Sequence, residues 1–129
     1  MKSFDSVDNH QLEGSVYVIP TELGGRATGI RSGYRGQFFW HINHEDCSDW
    51  LAESYFENDL IEPGQSARIK IRLGGAIKVL GQKSGMPPGS QFALREGSKI
   101  VAVGVITKSQ FEETNRRSMK SAAATEKND

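Results

Sequence analysis

Short segments of alternating or mostly apolar side chains recur along the chain and predict β-strands. The clearest is residues 67–73 (ARIKIRL), where isoleucine and leucine alternate with arginine and lysine, so that one face is buried and the other meets water. Further strands are predicted at residues 15–19, 36–43, 75–81, 90–96 and 98–107. Glycine and proline turns between strands of this length are typical of an all-β fold, either an antiparallel barrel or a sandwich.

The most apolar of these segments is residues 98–107 (SKIVAVGVIT). A run that is apolar almost throughout is typical of a buried strand. We therefore predict that this strand is central. A tight turn at Gly97, where a positive φ is easily adopted, joins it to the strand before it.

One segment carries a helical rather than an alternating pattern. Within residues 48–58, the apolar residues Trp50, Leu51 and Tyr55 recur at a spacing that places them roughly on one side of a helix. We therefore predict a helical turn in this segment.

The last part of the sequence has no strand features. Ser109 and Glu112 have the spacing of a capping box, and the glutamates that follow pair with arginines four residues later. Because the apolar face of such a helix is thin, we expect it to fray or to be disordered. The prediction is therefore one β-domain over residues 1–108 and a charged tail over residues 109–129.

The charges are unevenly distributed although the formal net charge is zero. All formal charges in residues 23–44 are positive, whereas all those in residues 45–62 are negative. The acids of the second segment are Glu45, Asp46, Asp49, Glu53, Glu57, Asp59 and Glu62. A neutral chain argues against a dedicated nucleic-acid binder. The acidic segment is typical of a solvated face or of a docking surface for a basic partner.

Cys47 is the only cysteine, so an internal disulfide is excluded and a reducing cytoplasm is the expected location. No apolar run approaches the roughly 20 residues that span a bilayer, and the first residues lack the apolar centre of a secretory signal. We therefore expect a cytoplasmic protein that has no membrane partner.

Glycine-rich motifs do not have the spacing of nucleotide sites. The run GQKSG (residues 81–85) lacks the first glycine of a P-loop, and GGRATG (residues 24–29) lacks the dinucleotide fingerprint. We therefore expect neither nucleotide binding nor a cofactor.

A candidate metal site is formed by His41, His44 and Cys47, with Asp46 beside them. In a loop these residues could converge on zinc. On a strand, His41 and His44 would point to opposite faces. Cys47 near His44 also offers the ingredients of a thiol nucleophile. Nothing else in the sequence supports either site, so we predict no metal, no catalytic residue and no enzyme, and keep this site as an alternative.

Three runs of sequence resemble one known family in order and spacing. They are SVYVIPTELGGRATGIRSGYRGQFFW, IEPGQSARIKIRL and QFALREGSKIVAVGVITK, and together they cover about Gly14 to Lys108. They resemble the third, C-terminal domain of bacterial elongation factor Tu. The resemblance implies a six-stranded antiparallel β-barrel. In the full-length factor that domain helps to hold the T-stem backbone of aminoacyl-tRNA, packs against the GTPase domain and contributes to binding the nucleotide-exchange partner.

The resemblance also implies roles for individual residues. By motif match, the positions that approach tRNA in the family are Arg26, Gln37, Glu96 and Gly97. Tyr34 and Arg35 belong to the segment around the interface with the GTPase domain. Contacts of this kind to the nucleic-acid backbone fix position rather than base identity.

Departures from the family pattern weaken the expected RNA surface. The run HINHEDC replaces the family's RTTDVTG and puts Asp46 near the place where a hydroxyl residue would face the phosphates. A carboxylate there repels phosphate. Ala27 and Gly36 replace the histidine of GGRHT and the proline of YRPQF.

We therefore expect a free-standing, non-enzymatic relative that binds a protein through altered acidic loops. The residues predicted for this interface are Tyr34, Arg35, Asp46, Glu53, Glu57 and Asp59. Weak binding of the tRNA T-stem is one alternative. An immunity-type protein that masks a basic toxin is another, and a remnant without a selected role is a third.

Overall fold

The computed structural model describes residues 2–40, 48–74 and 86–110. Within these ranges the strands are β1 (Leu12–Val18), β2 (Ile30–Arg31), β3 (Gln37–Trp40), β4 (Ser48–Phe56), β5 (Leu60–Ile61), β6 (Ser66–Leu73), β7 (Gln91–Glu96) and β8 (Lys99–Ser109). Two short 3₁₀ turns span Thr21–Leu23 and Glu57–Asp59.

Six of these strands form a closed antiparallel barrel in the order β1-β6-β4-β3-β7-β8. The barrel closes because β8 pairs with β1 as well as with β7. The remaining pair, β2 and β5, forms a small separate sheet. The predicted six-stranded antiparallel barrel is therefore confirmed. Closure leaves no barrel strand with an unpaired edge in the described part of the chain.

Alternation along the strands fills the interior. On β6, Ile69, Ile71 and Leu73 are buried, whereas the basic residues between them lie on the outer face. Phe38 of β3 and Phe92 of β7 stack inside the barrel, with ring centroids 5.5 Å apart. Burying one such side chain contributes about 2–3 kcal/mol.

The contact between β1 and β8 is unusually close where both strands carry glycine. A Cβ on Gly104 would lie 2.3 Å from the ring of Phe92 and 2.6 Å from the carbonyl oxygen of Ser15. A Cβ on Gly14 would lie 2.4 Å from the carbonyl oxygen of Val105. Glycine at these two positions lets the strands and the core ring approach one another.

The helical turn predicted on Trp50, Leu51 and Tyr55 is wrong, because these residues lie in the strand β4; only the last two residues of the predicted segment, Glu57 and Asn58, belong to a short 3₁₀ turn. Ala52, Ser54 and Phe56 are buried at alternate positions, and Phe56 pairs with Ile69 of β6. Tyr55, one of the residues that suggested a helix, lies on the other face of the strand, in the cluster with Phe4 and Val7. Pairing with strands on both sides decides the conformation.

The strand β8, predicted to be central, pairs with β7 on one side and with β1 on the other, and only one of its faces is buried. Val101, Ala102 and Ile106 are buried, but Val103 and Val105 are each 40% exposed. A closed barrel has an inside and an outside for every strand, so each strand keeps one outer face.

Three further predictions concern parts of the chain outside the described residues. They are the short strand at residues 75–81, the metal or thiol site at His41, His44 and Cys47, and the tail after residue 110. Ser109, predicted as the first residue of that tail, is the last residue of β8.

The first residues cross the outside of β4 and β6. Phe4 and Val7 are buried with Tyr55 in a small apolar cluster. The backbone N–H of Phe4 donates to Asp59 at 2.7 Å, and Lys70 Nζ donates to the carbonyl oxygen of Phe4 at 2.8 Å. Lys70 Nζ also lies 4.3 Å from the centroid of the Phe4 ring. The N-terminal segment therefore covers this side of the barrel.

Candidate binding surfaces

The first candidate surface is a polar cluster at one end of β3 and β7. Arg26 Nη1 lies 2.5 Å from Glu96 Oε2, and the hydroxyl of Tyr34 donates to the same oxygen at 2.7 Å. The guanidinium carbon of Arg26 lies 5.6 Å from the centroid of the Tyr34 ring, within the range of a cation–π contact. We call Arg26, Tyr34 and Glu96 the Arg26 cluster.

Local backbone contacts hold the residues of the Arg26 cluster in place. The hydroxyl of Thr21 donates to the carbonyl oxygen of Arg26 at 2.5 Å. The backbone N–H of Ser54 on β4 donates to the carbonyl oxygen of Tyr34 at 2.9 Å. A Cβ on Gly25 would lie 2.0 Å from the carbonyl oxygen of Ile19, so the loop needs glycine just before Arg26.

Gln37 and Gly97 lie next to this cluster. Gly97 adopts a φ of +64° in the turn between β7 and β8, and its N–H donates to Gln37 Oε1 at 2.8 Å. In the barrel register Gln37 lies opposite Arg95, one residue before Glu96. The structure thus brings together the four residues that the resemblance assigned to RNA, and adds Tyr34 to them.

The charges of this cluster are balanced within the chain. Burial raises the pKa of Tyr34 far above its ordinary value, and the hydrogen bond to the Glu96 carboxylate adds to this increase. The side chain of Arg26 is only 25% exposed and lies against its carboxylate partner. A phosphate that binds Arg26 must therefore compete with Glu96.

A second polar network surrounds Glu53 on the outer face of β4. Arg35 donates to Glu53 Oε2 through Nε at 2.9 Å and Nη2 at 2.6 Å, and the Tyr55 hydroxyl donates to Oε1 at 2.9 Å. Arg72 lies 3.7 Å from the same carboxylate. The hydrogen bond from Tyr55, followed by those from Arg35, lowers the pKa of Glu53. Arg35 remains 76% exposed.

The other predicted interface acids are also engaged with groups of the same chain. Glu57 pairs with Arg68 at 3.1 Å. Hydrogen bonds from the Ser32 side chain and from the N–H of Phe4 lower the pKa of Asp59. In the described residues, the acidic segment is thus partly neutralised by neighbouring strands. Asp46 lies outside the described residues, and the protein interface assigned to these acids stays a prediction.

The third candidate surface is an apolar groove on the outer faces of β1, β3, β7 and β8. The groove has a volume of about 670 Å³, and its principal apolar residues are Tyr17, Phe39, Ala93, Val103 and Val105. Its lining within the described part of the chain carries no charge, but the guanidinium carbon of Arg95 lies at its edge, 5.7 Å from the centroid of the Phe39 ring. Tyr17 is 38% exposed there. We call this surface the apolar groove.

Sequence reasoning missed the apolar groove, although a signal was present. Val103 and Val105 occupy alternate positions of β8, separated by Gly104, and thus share its outer face. The corresponding outer positions of β6 carry arginine and lysine. Apolar residues at outward positions, where another strand of the same fold has charges, are the signal that could have identified this groove.

A model of the elongation factor Tu C-terminal domain family matches residues 6–110. The chain belongs to this family. The match spans β1 to β8 and includes the Arg26 cluster, Gln37, Gly97 and the apolar groove. The family is a non-catalytic β-domain of a translation factor.

Neither a membrane-spanning helix nor a metal-binding cluster occurs among the described residues of this elongation factor Tu-like domain. No helix among them is long and apolar enough to cross a membrane. No group of three or more histidine, cysteine, aspartate or glutamate side chains in residues 2–40, 48–74 and 86–110 could hold a metal ion.

Proposed function

We propose that this elongation factor Tu-like domain is a non-enzymatic, cytoplasmic binding module that contacts a protein of the translation apparatus through the apolar groove. The observation that carries the proposal is the exposure of Tyr17, Val103 and Val105 on one largely apolar outer face. Contiguous exposed apolar surface of this kind marks contact sites. The core of a protein–protein interface is depleted of charge and enriched in aromatic residues.

The distribution of charge favours protein over RNA as the partner. RNA binding depends on arginine and lysine side chains that can neutralise phosphates. Arg26 is held by Glu96, and Arg35 is held by Glu53. Phosphate contacts by these arginines would first have to break charge-assisted hydrogen bonds, which are among the stronger polar interactions.

The charged residues predicted for the interface have a secondary role in this proposal. Glu53 lies on β4, which is next to β3 in the barrel, and β3 contributes Phe39 to the groove. Charges beside an apolar contact region steer association and select partners more than they add affinity. We therefore assign Tyr34, Arg35, Glu53, Glu57 and Asp59 to the polar surroundings of the contact, whereas the role of Asp46, which lies outside the described residues, stays a prediction from sequence.

Affinity capture from cell lysate, with mass spectrometry to identify what is bound, tests the proposal. The bait is the full chain, compared with the variant Val103→Asp/Val105→Asp. Leu23→Asp is the matched control, because Leu23 is 74% exposed and lies outside the groove. We expect a translation protein that the chain and the control retain and the groove variant loses. Equal capture by all three would overturn the proposal.

A charge-reversed bait separates the two parts of the predicted interface. Glu53→Lys/Glu57→Lys reverses two acids that are paired with arginines and leaves the groove intact. If the groove is the main contact, this bait should retain the partner with lower affinity at low salt. Complete loss with the charge-reversed bait, but not with the groove variant, would assign the contact to the acids instead.

Binding of the tRNA T-stem is the second candidate, favoured by the convergence of Arg26, Gln37, Glu96 and Gly97 at one end of the barrel. Fluorescence titration with aminoacyl-tRNA at low salt tests it. Binding that weakens steeply with salt and is lost in Arg26→Ala would support it. Absence of binding at low salt would remove it.

The third candidate function, masking of a basic toxin, has less electrostatic support than the unpaired acids of the sequence suggested. Glu53 and Glu57 already pair with Arg35 and Arg68, so only part of their charge faces a basic partner. Recovery of a basic nuclease or toxin by the unmodified bait, but not by the charge-reversed bait, would restore this candidate.

A further inference from the structure

We propose that the outer face of β4 and β6 is a binding site for a short peptide turn that carries an aromatic residue and, three positions later, an aliphatic one. In the free chain, residues 2–8 occupy this site as an internal ligand, in competition with such a turn on a partner protein. We call the receiving residues the Phe4 site; they are Tyr55, Asp59, Arg68 and Lys70. The site lies on the opposite side of the barrel from the apolar groove, so it is independent of the proposed function.

The Phe4 site contacts both the backbone and the ring of one aromatic residue. Asp59 accepts the N–H of Phe4 at 2.7 Å, and Lys70 Nζ donates to its carbonyl oxygen at 2.8 Å. Two cations approach the ring: Lys70 Nζ lies 4.3 Å and the guanidinium carbon of Arg68 lies 5.4 Å from its centroid. Cations at these distances favour an aromatic ring over an aliphatic side chain. The hydrogen bonds therefore fix the direction of the bound chain, and the cations select the residue type.

The internal ligand is a turn that keeps its own shape. The N–H groups of Ser6 and Val7 both donate to the carbonyl oxygen of Ser3, and the N–H of Ser3 donates to the hydroxyl of Ser6. The turn brings Phe4 and Val7 together against Tyr55, in a cluster separate from the barrel core. A turn of the same type on another protein would present the same two side chains, and its preformed shape would lower the cost of binding.

Few bonds hold residues 2–8 to the rest of the described chain. Their hydrogen bonds to it are the two at Phe4, and barrel side chains rather than strand edges make both of them. Asn9 follows with a φ of +58°, and the N–H of Gln11 then donates to the carbonyl oxygen of Ile71 on β6. A segment held by so few bonds opens without unfolding of the remainder. Asn9 is therefore the hinge about which residues 2–8 leave the site.

The loop that carries Asp59 adopts an uncommon backbone conformation. Asn58 and Asp59 have φ values of +67° and +60°, in the left-handed region that residues other than glycine seldom occupy. The N–H of Ser32 donates to the carbonyl oxygen of Asp59 at 3.1 Å and helps to hold it there. Non-glycine residues in this region cluster at ligand clamps and active sites. Here the conformation accompanies an Asp59 carboxylate that holds the N–H of the bound aromatic residue.

Titration with a fluorescein-labelled peptide of residues 2–9 (KSFDSVDN) tests the site in the full chain. In the variant Phe4→Ala/Val7→Ala the internal ligand no longer fills the site. We expect the peptide to bind this variant with a dissociation constant on the order of 10–100 µM, since a tethered segment has a millimolar effective concentration and its docking is favoured about a hundredfold. The unmodified chain should bind about a hundredfold more weakly, because its own segment occupies the site. No binding to the variant, or equal binding to both chains, overturns the inference.

Matched substitutions locate the bound peptide. Lys70→Met, added to the same variant, removes the donor to the peptide carbonyl and one cation beside the ring, and should weaken binding by about tenfold or more. Lys99→Met on β8 lies outside the site and is the control. A peptide in which alanine replaces Phe4 should not bind. Equal binding by the Lys70→Met and Lys99→Met chains, or by the two peptides, overturns the assignment. Circular dichroism checks that each variant is folded.

Hydrogen exchange followed by NMR tests the release of the internal ligand without any substitution. We expect the amide of Phe4 in the unmodified chain to exchange faster than the amides of β6, because residues 2–8 open while the barrel stays closed. Exchange of the Phe4 amide at the rate of the slowest β6 amides would mean that the segment leaves only when the barrel unfolds, and would overturn the inference.

A groove substitution separates the Phe4 site from the proposed function. Val103→Asp/Val105→Asp, added to the Phe4→Ala/Val7→Ala variant, should leave peptide binding unchanged. Loss of binding in this combined chain would place the peptide in the apolar groove and overturn the Phe4 site. If the peptide binds as expected but no translation protein is captured through the groove, the Phe4 site holds and the proposed function does not. Groove-dependent capture without any peptide binding has the opposite meaning.

Discussion

The two sides of this barrel have the same backbone architecture but opposite outer surfaces. The outer face of β4 and β6 carries Arg68, Lys70, Arg72 and Glu53, and the N-terminal segment crosses it. The outer faces of β1, β3, β7 and β8 carry the apolar groove, with no covering segment among the described residues. Alternation along a strand determines which positions face outward, whereas the residues at those positions determine what the outer face can bind.

In the free chain, the residues on one side contribute mainly to the stability of the fold, and those on the other side are available for binding. We call the face of β4 and β6 the covered side; there, acids pair with bases and the apolar residues are buried by the N-terminal segment. We call the face that carries the apolar groove the bare side; there, apolar residues remain exposed, which folding alone does not require. We therefore expect substitutions on the covered side to change the free energy of unfolding, and substitutions on the bare side to change association.

The largest effect should come from Phe4→Ala, which removes the anchor of the covered side. Phe4 is 6% exposed and contacts both Lys70 and Arg68 through its ring. We expect a loss of about 3 kcal/mol in the free energy of unfolding, measured by urea denaturation. Val103→Ala on the bare side should lose less than about 1 kcal/mol. Equal losses for the two would contradict the comparison.

Gly104→Ala should have the next largest effect, because the new methyl group would point into the barrel beneath the apolar groove. The new Cβ would collide with the ring of Phe92 and the carbonyl oxygen of Ser15. We expect a destabilisation of about 2 kcal/mol in urea denaturation. Val105→Ala, one residue away on the exposed face, is the control and should remain close to the unmodified chain. A Gly104→Ala variant as stable as this control would show that β1 and β8 can move apart without a loss in the free energy of unfolding.

Glu53→Gln should cost about 1 kcal/mol at neutral pH, because it removes the charge that gathers Arg35, Tyr55 and Arg72. The folded-state pKa of Glu53 is lowered from 4.5. Its contribution is therefore present above pH 4.5 and is lost as the pH falls through the folded-state pKa. Urea denaturation should show the unmodified chain and the variant converging in acid. A difference that persists at low pH would mean that packing, rather than charge, accounts for the loss.

The smallest effect is spectroscopic and concerns Tyr34. Its pKa is raised by burial and by the Glu96 carboxylate. The protonated phenol therefore stabilises the fold, and this contribution is fully present below pH 10. The contribution is lost as the pH rises through the raised pKa of the folded state. In an ultraviolet titration, Tyr34→Phe should remove a tyrosine that ionises well above pH 10. Glu96→Gln should move that ionisation to lower pH. An unchanged titration curve in both variants would contradict the hydrogen bond between Tyr34 and Glu96.

Local patterns predicted the strands whose two faces differ in polarity. The segment ARIKIRL became β6 almost to the residue because its alternation has only one interpretation. In β4 the apolar spacing fitted a helical turn as well, and only pairing with β3 and β6 selects the strand. In β8 the apolar run predicted a central strand, but the run alone does not show that Val103 and Val105 lie on the exposed outer face.

The polar clusters depend on contacts that are distant in the sequence. Arg26 and Glu96 are 70 residues apart, and no spacing rule connects them. The family resemblance placed both near RNA, but the ion pair between them and the hydrogen bond from Tyr34 appear only when the barrel closes. The same is true of Glu53: one of its partners, Arg35, precedes it in the sequence by 18 residues, and the other, Arg72, follows it.

The attachment of Phe4 to Asp59 and Lys70 has a practical consequence for anyone who immobilises this protein. A linker fused ahead of Lys2 would emerge on the side of β4 and β6. A chain tethered to a sensor chip or a bead in this way turns Tyr17, Val103 and Val105 toward the solution, whereas random coupling through surface lysines would hide them on many of the molecules.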